Sequence, residues 1–261
     1  MMTTPALIYH QFRFDQKRFW RDPAGLFYAI GFPLVFLAVF LGALGNNNET
    51  AHIAGHTVSS KIYYVPGIMA MTVVSVAFAS LAISLTAARE RGTLKRVRGT
   101  RLPPWVFMAG RIATAVAVTA GTVMLVAVTA RLVYDVPIPV STLGAGLVML
   151  LVAAAAFCAL GFAITTVLPS ANTAAAVTMT GSWLLYFISG LFAREDNIPD
   201  TLRTIAGLFP IKRLFQALVV AYDPATTGVG FAWTELGVLA AWGVGALVIA
   251  LRLFRWTPTT G

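Results

Sequence analysis

Charged side chains are scarce in this sequence. Only 11% of the 261 residues are Asp, Glu, Lys or Arg, whereas 58% are apolar; soluble proteins average about 25% and about 45–50%, respectively. So few charges cannot cover the surface of a water-soluble globule, and such high hydrophobicity also excludes a disordered chain. The composition therefore predicts an integral membrane protein.

Cysteine and histidine are nearly absent as well. The single cysteine, Cys158, lies in an apolar run, which excludes a disulfide framework and a thiolate metal cluster. His52 and His56 are four residues apart in a segment rich in Asn and Gly, a spacing that could hold a metal ion on a helix. We expect a solvated loop there and no metal site, with metal binding as the alternative.

Two signatures of energised transport are missing. No Gly-Lys pair occurs in the chain, which excludes the P-loop that cradles the phosphates of ATP. No predicted span carries Asp, Glu or His near its centre, where a proton- or sodium-coupled carrier usually needs one. We therefore expect no enzyme activity and no cofactor from this chain itself, and any pumping must use energy from another subunit.

Long uncharged runs predict six transmembrane helices, because a bilayer needs about 20 apolar residues per helix. The predicted spans cover about 24–44, 62–88, 105–130, 141–167, 173–193 and 229–251. The break between the fourth and fifth spans belongs at residues 168–172, since proline removes a backbone donor and Ser and Asn favour turns. The expected fold is an all-α integral membrane protein with one domain, residues 1–261.

Basic residues are distributed unequally between the two sides of the predicted bundle. Six spans put both termini on one side, and the polar segments on that side hold 13 Lys and Arg against six on the other. The positive-inside rule then places both termini in the cytoplasm. We expect a multi-pass protein of the plasma membrane, and the Ala-, Val- and Arg-rich composition favours a bacterial one.

The segments outside the spans contain two predicted cytoplasmic elements. Residues 5–22 should form an interfacial amphipathic helix, with Ile8 and Phe19 on one face and Arg13 and Lys17 on the other; a plain positive-inside anchor is the alternative. Residues 89–104 should hold a short basic helix that follows a break at Gly92.

In that second segment Thr93 is a good N-cap, and Leu94 and Val97 share one face. Gly99 should close the helix, and Pro104 suits the first turn of the third span. A short basic helix with a small apolar face, held between two rigid spans, is suited to contact another protein. The alternative is a solvated basic loop on anionic lipid.

The outer segment 197–222 is predicted to be re-entrant. Pro199 suits a helix start and is followed by an apolar stripe that ends at Phe209. Pro210 begins a second helix whose apolar run is too short to cross hydrocarbon, so protein must cover it. We expect this pair to act as a lid or as half of an interface.

Hydroxyl-bearing side chains form stripes on two predicted spans. The stripe of the fifth span has helical spacing, and that of the second span passes through an alanine. These hydroxyls either bond to carbonyls of their own helix or to neighbouring helices, or line a pathway for a neutral or amphipathic substrate. The residues of the two stripes are Thr178, Ser182, Tyr186 and Ser189, and Thr72, Ser75, Ala79 and Thr86.

The run Glu90-Arg91-Gly92-Thr93-Leu94, followed by Val97, Thr100 and Pro103-Pro104, resembles the Glu-x-Gly-Thr-Leu coupling segment in membrane subunits of type-2 ABC exporters. The outer pattern from Ser189-Gly190 through Ile198-Pro199 to Phe209-Pro210 looks like the segment before that family's last span. The likeness covers nearly the whole chain. Within the family, the chain is similar to drug exporters of the daunorubicin-resistance kind. Arg101 and Phe209 depart from a common proline and a common asparagine of the family.

The resemblance implies a permease subunit that dimerises, as a homodimer or heterodimer, in membrane lipid. Two copies of a separate ATP-binding subunit would dock on it and hold ATP and Mg, and no nucleic acid takes part. It would export a hydrophobic or amphipathic substrate, such as a drug, lipid or glycolipid precursor, by alternating access.

The resemblance also assigns roles to residues. Coupling to the ATPase falls to Glu90, Arg91, Gly92, Thr93, Leu94, Arg96, Val97 and Arg98, with Arg13 and Lys17 of the leader helix. The substrate pathway and dimer interface are Thr72, Ser75, Ala79, Thr178, Ser182, Tyr186 and Ser189. The outer gate is Phe192, Pro199, Phe209 and Pro210.

Two other functions stay open from the sequence. If the chain is a non-transporting anchor or regulator of a partner ATPase, no ligand should change the ATP turnover of the complex. An ATP-independent channel predicts solute flux from this chain alone.

Overall fold

The computed structural model describes residues 4–44, 50–53, 56–99, 103–191, 200–223, 226, 228 and 230–253. Within these residues every regular element is helical except one short β-hairpin. The helices are α1 (Thr4–Phe19), α2 (Pro23–Leu26), α3 (Phe32–Val39), α4 (Ser60–Val73), α5 (Leu81–Glu90), α6 (Thr93–Arg98), α7 (Pro104–Tyr134), α8 (Leu143–Ile164), α9 (Ala171–Ile188), α10 (Asp200–Leu208), α11 (Pro210–Tyr222) and α12 (Trp233–Leu253).

Among the described residues, four helices are long and apolar enough to cross a membrane: Ser60–Glu90, Trp105–Tyr134, Val140–Ile164 and Trp233–Leu253. They coincide with the second, third, fourth and sixth predicted spans. The region of the first span contains a shorter apolar helix, Phe27–Ala43. The region of the fifth span holds α9, whose 18 residues include three of the four residues of the polar stripe, with Ser189 as the C-cap. The all-α, multi-pass membrane architecture is confirmed, and the count of six spans stays a prediction.

In the described part of the chain, three π-helical segments, in which each turn holds an extra residue, interrupt the regions of the first and second predicted spans. They are Phe27–Gly31, Phe40–Leu44 and Val74–Ser80. The last one joins α4 to α5 without a break, so that Ser60–Glu90 is a continuous helix. Segments of this kind frequently occur at functional sites in helices, and Val74–Ser80 carries two residues of the predicted pathway.

The first segment predicted to lie on the outer side contains a hairpin rather than the expected loop. Strand β1 (Thr50–Ile53) pairs antiparallel with β2 (His56–Ser59), and Ile53 lies opposite His56. The two histidines therefore belong to different strands, so their spacing of four does not place them one helical turn apart as a helical metal site requires. Within the described residues no group of three or more His, Cys, Asp or Glu could hold a metal ion.

The turn between α8 and α9 lies where proline, serine and asparagine predicted it. α8 ends at Ile164 and α9 begins at Ala171. The Ser170 side chain caps α9 by accepting a hydrogen bond from the backbone N–H of Thr173 at 3.1 Å, as expected for a serine N-cap.

Small residues let the central helices approach closely. A Cβ atom built on Gly243 of α12 would lie 3.0 Å from the Cα and Cβ atoms of Ala156 in α8. A Cβ on Gly161 would lie 3.1 Å from the carbonyl oxygen of Phe78. Close contact through small residues is the usual way in which membrane helices pack, because lipid supplies little hydrophobic driving force between them. α8 thus packs against both α12 and the π-helical segment Val74–Ser80.

The helices α10 and α11, which are predicted to lie on the outer side, fold back onto the bundle. α11 is mostly buried and packs against α4, α8 and α12. Arg213 Nη1 lies 3.7 Å from Glu235 Oε1, and the indole N–H of Trp242 donates to the carbonyl of Leu208 at 3.1 Å. Protein therefore covers much of this short helix, as non-spanning backbone at membrane depth requires.

Candidate functional site

The short basic helix α6 follows the long helix Ser60–Glu90 after a sharp change of direction. α5 ends at Glu90, and Gly92 has a φ of +68°, a conformation that glycine adopts at no steric cost. α6 begins at Thr93 itself, so Thr93 is the first helical residue and not the N-cap that its type suggested. Leu94 is buried and fixes the helix to the bundle, whereas Thr93 stays exposed.

The rest of this predicted coupling segment is partly described. The backbone N–H of Gly99 bonds to the carbonyl of Lys95 at 3.1 Å, which ends the helix near the predicted position. Arg91 and Lys95 are exposed. The backbone of Arg96, Val97 and Arg98 is helical, and their side chains lie outside the described residues.

Arg89, the residue before the predicted segment's glutamate, binds the end of α8. Its guanidinium donates to the carbonyl of Thr165 at 2.8 Å, to that of Leu168, and to that of Pro169 at 3.4 Å. The last carbonyls of a helix lack partners within it, so a buried cation is favourable there. Arg89 is only 2% exposed.

Glu90 binds the other side of the same turn. Its Oε1 accepts a hydrogen bond from the backbone N–H of Ala171 at 3.0 Å. Ala171 is the first residue of α9, and a carboxylate is favourable at a helix N-terminus. The bonds of Arg89 and Glu90 to the α8–α9 turn are called the Arg89–Glu90 clamp below.

The N-terminal helix α1 packs against α7. Arg111 Nε lies 3.4 Å from Asp15 Oδ2, and Gln11 Nε2 donates to the same oxygen at 3.0 Å. A Cβ on Gly110 would lie 2.5 Å from Gln11 Cγ, so the two helices touch at that glycine. Arg13 and Lys17, assigned to coupling, are exposed on α1.

A cavity of about 640 Å³ lies between the first predicted span, the long helix Ser60–Glu90 and α9. Four residues of the predicted pathway line it: Ser75, Ala79, Ser182 and Tyr186. Arg91 of the predicted coupling segment also lines it, beside Ala87 and Ala175. The cavity therefore extends from the ends of these helices that are predicted to be cytoplasmic to the middle of the long helix Ser60–Glu90.

Aromatic side chains form the wall of this cavity on the side of the first predicted span. The rings of Phe32 and Trp183 meet edge to face with centroids 6.1 Å apart, and those of Trp183 and Tyr186 do so at 5.8 Å. Phe32, Trp183 and Tyr28 line the cavity. The spacing of the hydroxyl-bearing residues did not predict that these aromatic residues line the pathway, although Trp183 directly follows Ser182 in the sequence.

The two polar stripes do not behave uniformly. The hydroxyls of Thr72, Thr86 and Thr178 donate to carbonyls of their own helices at 2.8, 2.9 and 2.6 Å, the local bonding that was one expectation for them. Tyr186 instead links helices. Its hydroxyl lies 3.4 Å from Ser75 Oγ and 3.3 Å from the carbonyl oxygen of Met71.

The outer-gate residues are described in part. Phe209 is the N-cap of α11, and Pro210 is its buried first residue. Phe192 and Pro199 lie outside the described residues. At the end of α9 Ser189 is buried, and the hydroxyl of Tyr63 donates to the carbonyl of Gly190 at 2.6 Å.

Comparison with known families matches residues 7–222 to the model described as "ABC-2 type transporter". The matched range contains most of α1, the clamp, the cavity, α10 and α11. A search of curated proteins finds no match for the chain.

Proposed function

Since the chain belongs to the ABC-2 type transporter family, we propose that it is the permease subunit of an ATP-driven exporter. It moves a hydrophobic or amphipathic substrate outward by alternating access. The chain is the membrane component of the transporter and has no P-loop of its own. Two copies of a separate ATP-binding subunit, holding ATP and Mg, supply the energy, and a second permease protomer completes the pathway.

The Arg89–Glu90 clamp is the observation that carries this proposal. It joins the residues next to α6 to the turn between α8 and α9 through four hydrogen bonds. A displacement of α6 by a docked ATPase would therefore pull on α8 and α9 as well as on its own long helix. Since α9 lines the cavity, this connection supports transmission of motion from the coupling segment to the pathway.

The lining of the cavity supports an amphipathic substrate. Ser75, Ser182 and Tyr186 offer hydroxyls, while Phe32, Ile83 and Trp183 offer apolar surface. Such a mixture suits a molecule with an apolar body and a few polar groups. Drugs, lipids and glycolipid precursors all have this character.

The alternative is a membrane protein that anchors or regulates an ATPase without transporting anything. The test is to co-purify the chain with its ATP-binding subunit and to measure ATP turnover with a series of amphipathic compounds. Export predicts that some compounds raise turnover severalfold. Turnover that no compound changes would favour the anchor, and solute flux through the chain alone would favour a channel.

A further inference from the structure

The mouth of the cavity carries more positive than negative charge. Arg18, Asp22 and Arg91 line it there, close to Ser84. A smaller cavity of about 110 Å³ adjoins it and shares Arg18 and Asp22 with it; Asp15 and Arg111 complete the charged part of that lining. Arg18 and Arg91 both lie within electrostatic range of Arg111. Two guanidinium groups, those of Arg18 and Arg91, thus line the opening of the larger cavity, and Arg111 lines the adjoining smaller one.

Both nearby carboxylates already have partners. Asp15 accepts from Gln11 and pairs with Arg111. Asp22 accepts from the backbone N–H of Gly25 at 3.1 Å and so faces the N-terminus of the first span's helix, where the helix dipole balances its charge. Neither Arg18 nor Arg91 takes part in an ion pair of the described chain. These two cationic groups at the opening therefore have no anionic partner among the residues that the structure describes.

The cavity behind these arginines fits an apolar chain. From Ala87 to Ser75 it extends over twelve residues, or about 18 Å at a helical rise of about 1.5 Å per residue. That length is close to one leaflet of a hydrocarbon core about 30 Å thick. Tyr28, Phe32 and Trp183 form the wall along it.

We infer that this cavity is a binding site for an amphipath with an anionic head group, such as a phosphate ester. The head lies at Arg18 and Arg91, where guanidinium groups match phosphate oxygens in geometry and charge. The tail lies along Tyr28, Phe32 and Trp183. The inference deepens the proposed function, on which it rests, because it selects anionic amphipaths over cationic and neutral ones.

Trp183 provides the measurement, because bromine in an acyl chain quenches the fluorescence of an indole that it contacts. The full-length protein is placed in phosphatidylcholine vesicles that contain a small fraction of brominated phosphatidylglycerol or, for comparison, brominated phosphatidylcholine. Subtracting the signal of Trp183→Phe isolates Trp183 from the other five tryptophans. We expect severalfold stronger quenching by the anionic lipid, and equal quenching would overturn the inference.

A matched pair of double variants separates a site from general surface charge. Arg18→Gln/Arg91→Gln should abolish the preference for the anionic lipid. Arg21→Gln/Arg252→Gln removes the same charge from exposed positions that do not line the cavity, and should keep the preference. Equal loss in both double variants would mean that the surface potential attracts the lipid, which contradicts a site.

Competition in the wild-type protein tests the inference even if the double variant does not fold. Dihexadecyl phosphate should displace the brominated phosphatidylglycerol, whereas dihexadecyldimethylammonium and inorganic phosphate should not. Displacement by the cation, or by phosphate without a tail, would overturn the inference.

This binding assay needs no ATPase, so its result is independent of the export measurement. Absence of binding would leave the proposed export intact, and absence of export would leave the binding site intact. If binding is established and dihexadecyl phosphate also raises the ATP turnover of the complex, this compound is a cargo. If it binds without changing ATP turnover, the cavity is a site for bilayer lipid. Both outcomes support an anionic-amphipath site.

Discussion

Arg89 and Glu90 are neighbours in the chain, yet they bind opposite ends of the turn that joins α8 to α9. The arginine contacts carbonyls that follow α8, and the glutamate contacts the first amide of α9. Each charge has the sign that the adjacent helix end favours. These two residues connect the last turn of α5 to two other helices.

Replacing Glu90 tests this connection. In Glu90→Ala the carboxylate is lost from the N-terminus of α9, a contact of the kind that contributes about 0.3–1 kcal/mol at an exposed helix end. We expect normal insertion but severalfold less substrate exported per ATP hydrolysed by the assembled complex. Glu90→Gln keeps an acceptor oxygen and should retain most of the coupling. Wild-type transport by Glu90→Ala at equal expression would refute the role.

Gly92 offers a second test at the residue scale. Its φ of +68° is a left-handed conformation, which costs most L-residues about 1–2 kcal/mol and is tolerated by Asn. Nothing lies within 4 Å of a Cβ built there, so strain rather than collision decides the outcome. Gly92→Val should uncouple ATP turnover from export, and Gly92→Asn should not. Equal transport rates from the two variants would contradict this explanation.

At the scale of elements, hydrophobic runs predicted the helices well and their partners poorly. The apolar runs and the Pro169 break gave helices within a few residues of those observed, because both signals are local. The pairing of Asp15 with Arg111 was missed, since nothing in the pattern of α1 says that one acidic residue faces another helix. The sequence did not indicate the contacts of Arg89, because an arginine at the end of a span has the same pattern as a basic residue of a loop.

The contact between α1 and α7 is testable through glycine. A Cβ on Gly110 would collide with Gln11, whereas nothing lies within 4 Å of a Cβ on Gly121 in the same helix. Gly110→Val should lower the free energy of unfolding by about 1–3 kcal/mol, the usual cost of overpacking. Gly121→Val introduces the same side chain without the collision. Melting temperatures in detergent should therefore fall for Gly110→Val only; a similar fall in both would contradict close packing of α1.

At the scale of the whole molecule, charge distribution predicts an orientation that the fold alone does not fix. Cys158, the only cysteine, is fully buried, so an introduced cysteine reports its own position. Lys95 and Arg131 are exposed at predicted cytoplasmic and outer positions. A membrane-impermeant maleimide should label Lys95→Cys in inside-out vesicles and Arg131→Cys in intact cells without an outer wall. The reverse pattern would invert the topology and place α6 beyond the reach of a cytoplasmic ATPase.

The central claim is that the chain is a passive gate in the bilayer, moved by an ATPase that docks at its cytoplasmic face. The most direct measurement compares ATP-dependent accumulation of an amphipathic substrate in proteoliposomes containing this chain alone with accumulation in proteoliposomes containing the complete complex. The account predicts accumulation against a gradient only with the complex and only with ATP and Mg. Hydrolysis of ATP or uphill transport by the chain alone would contradict it.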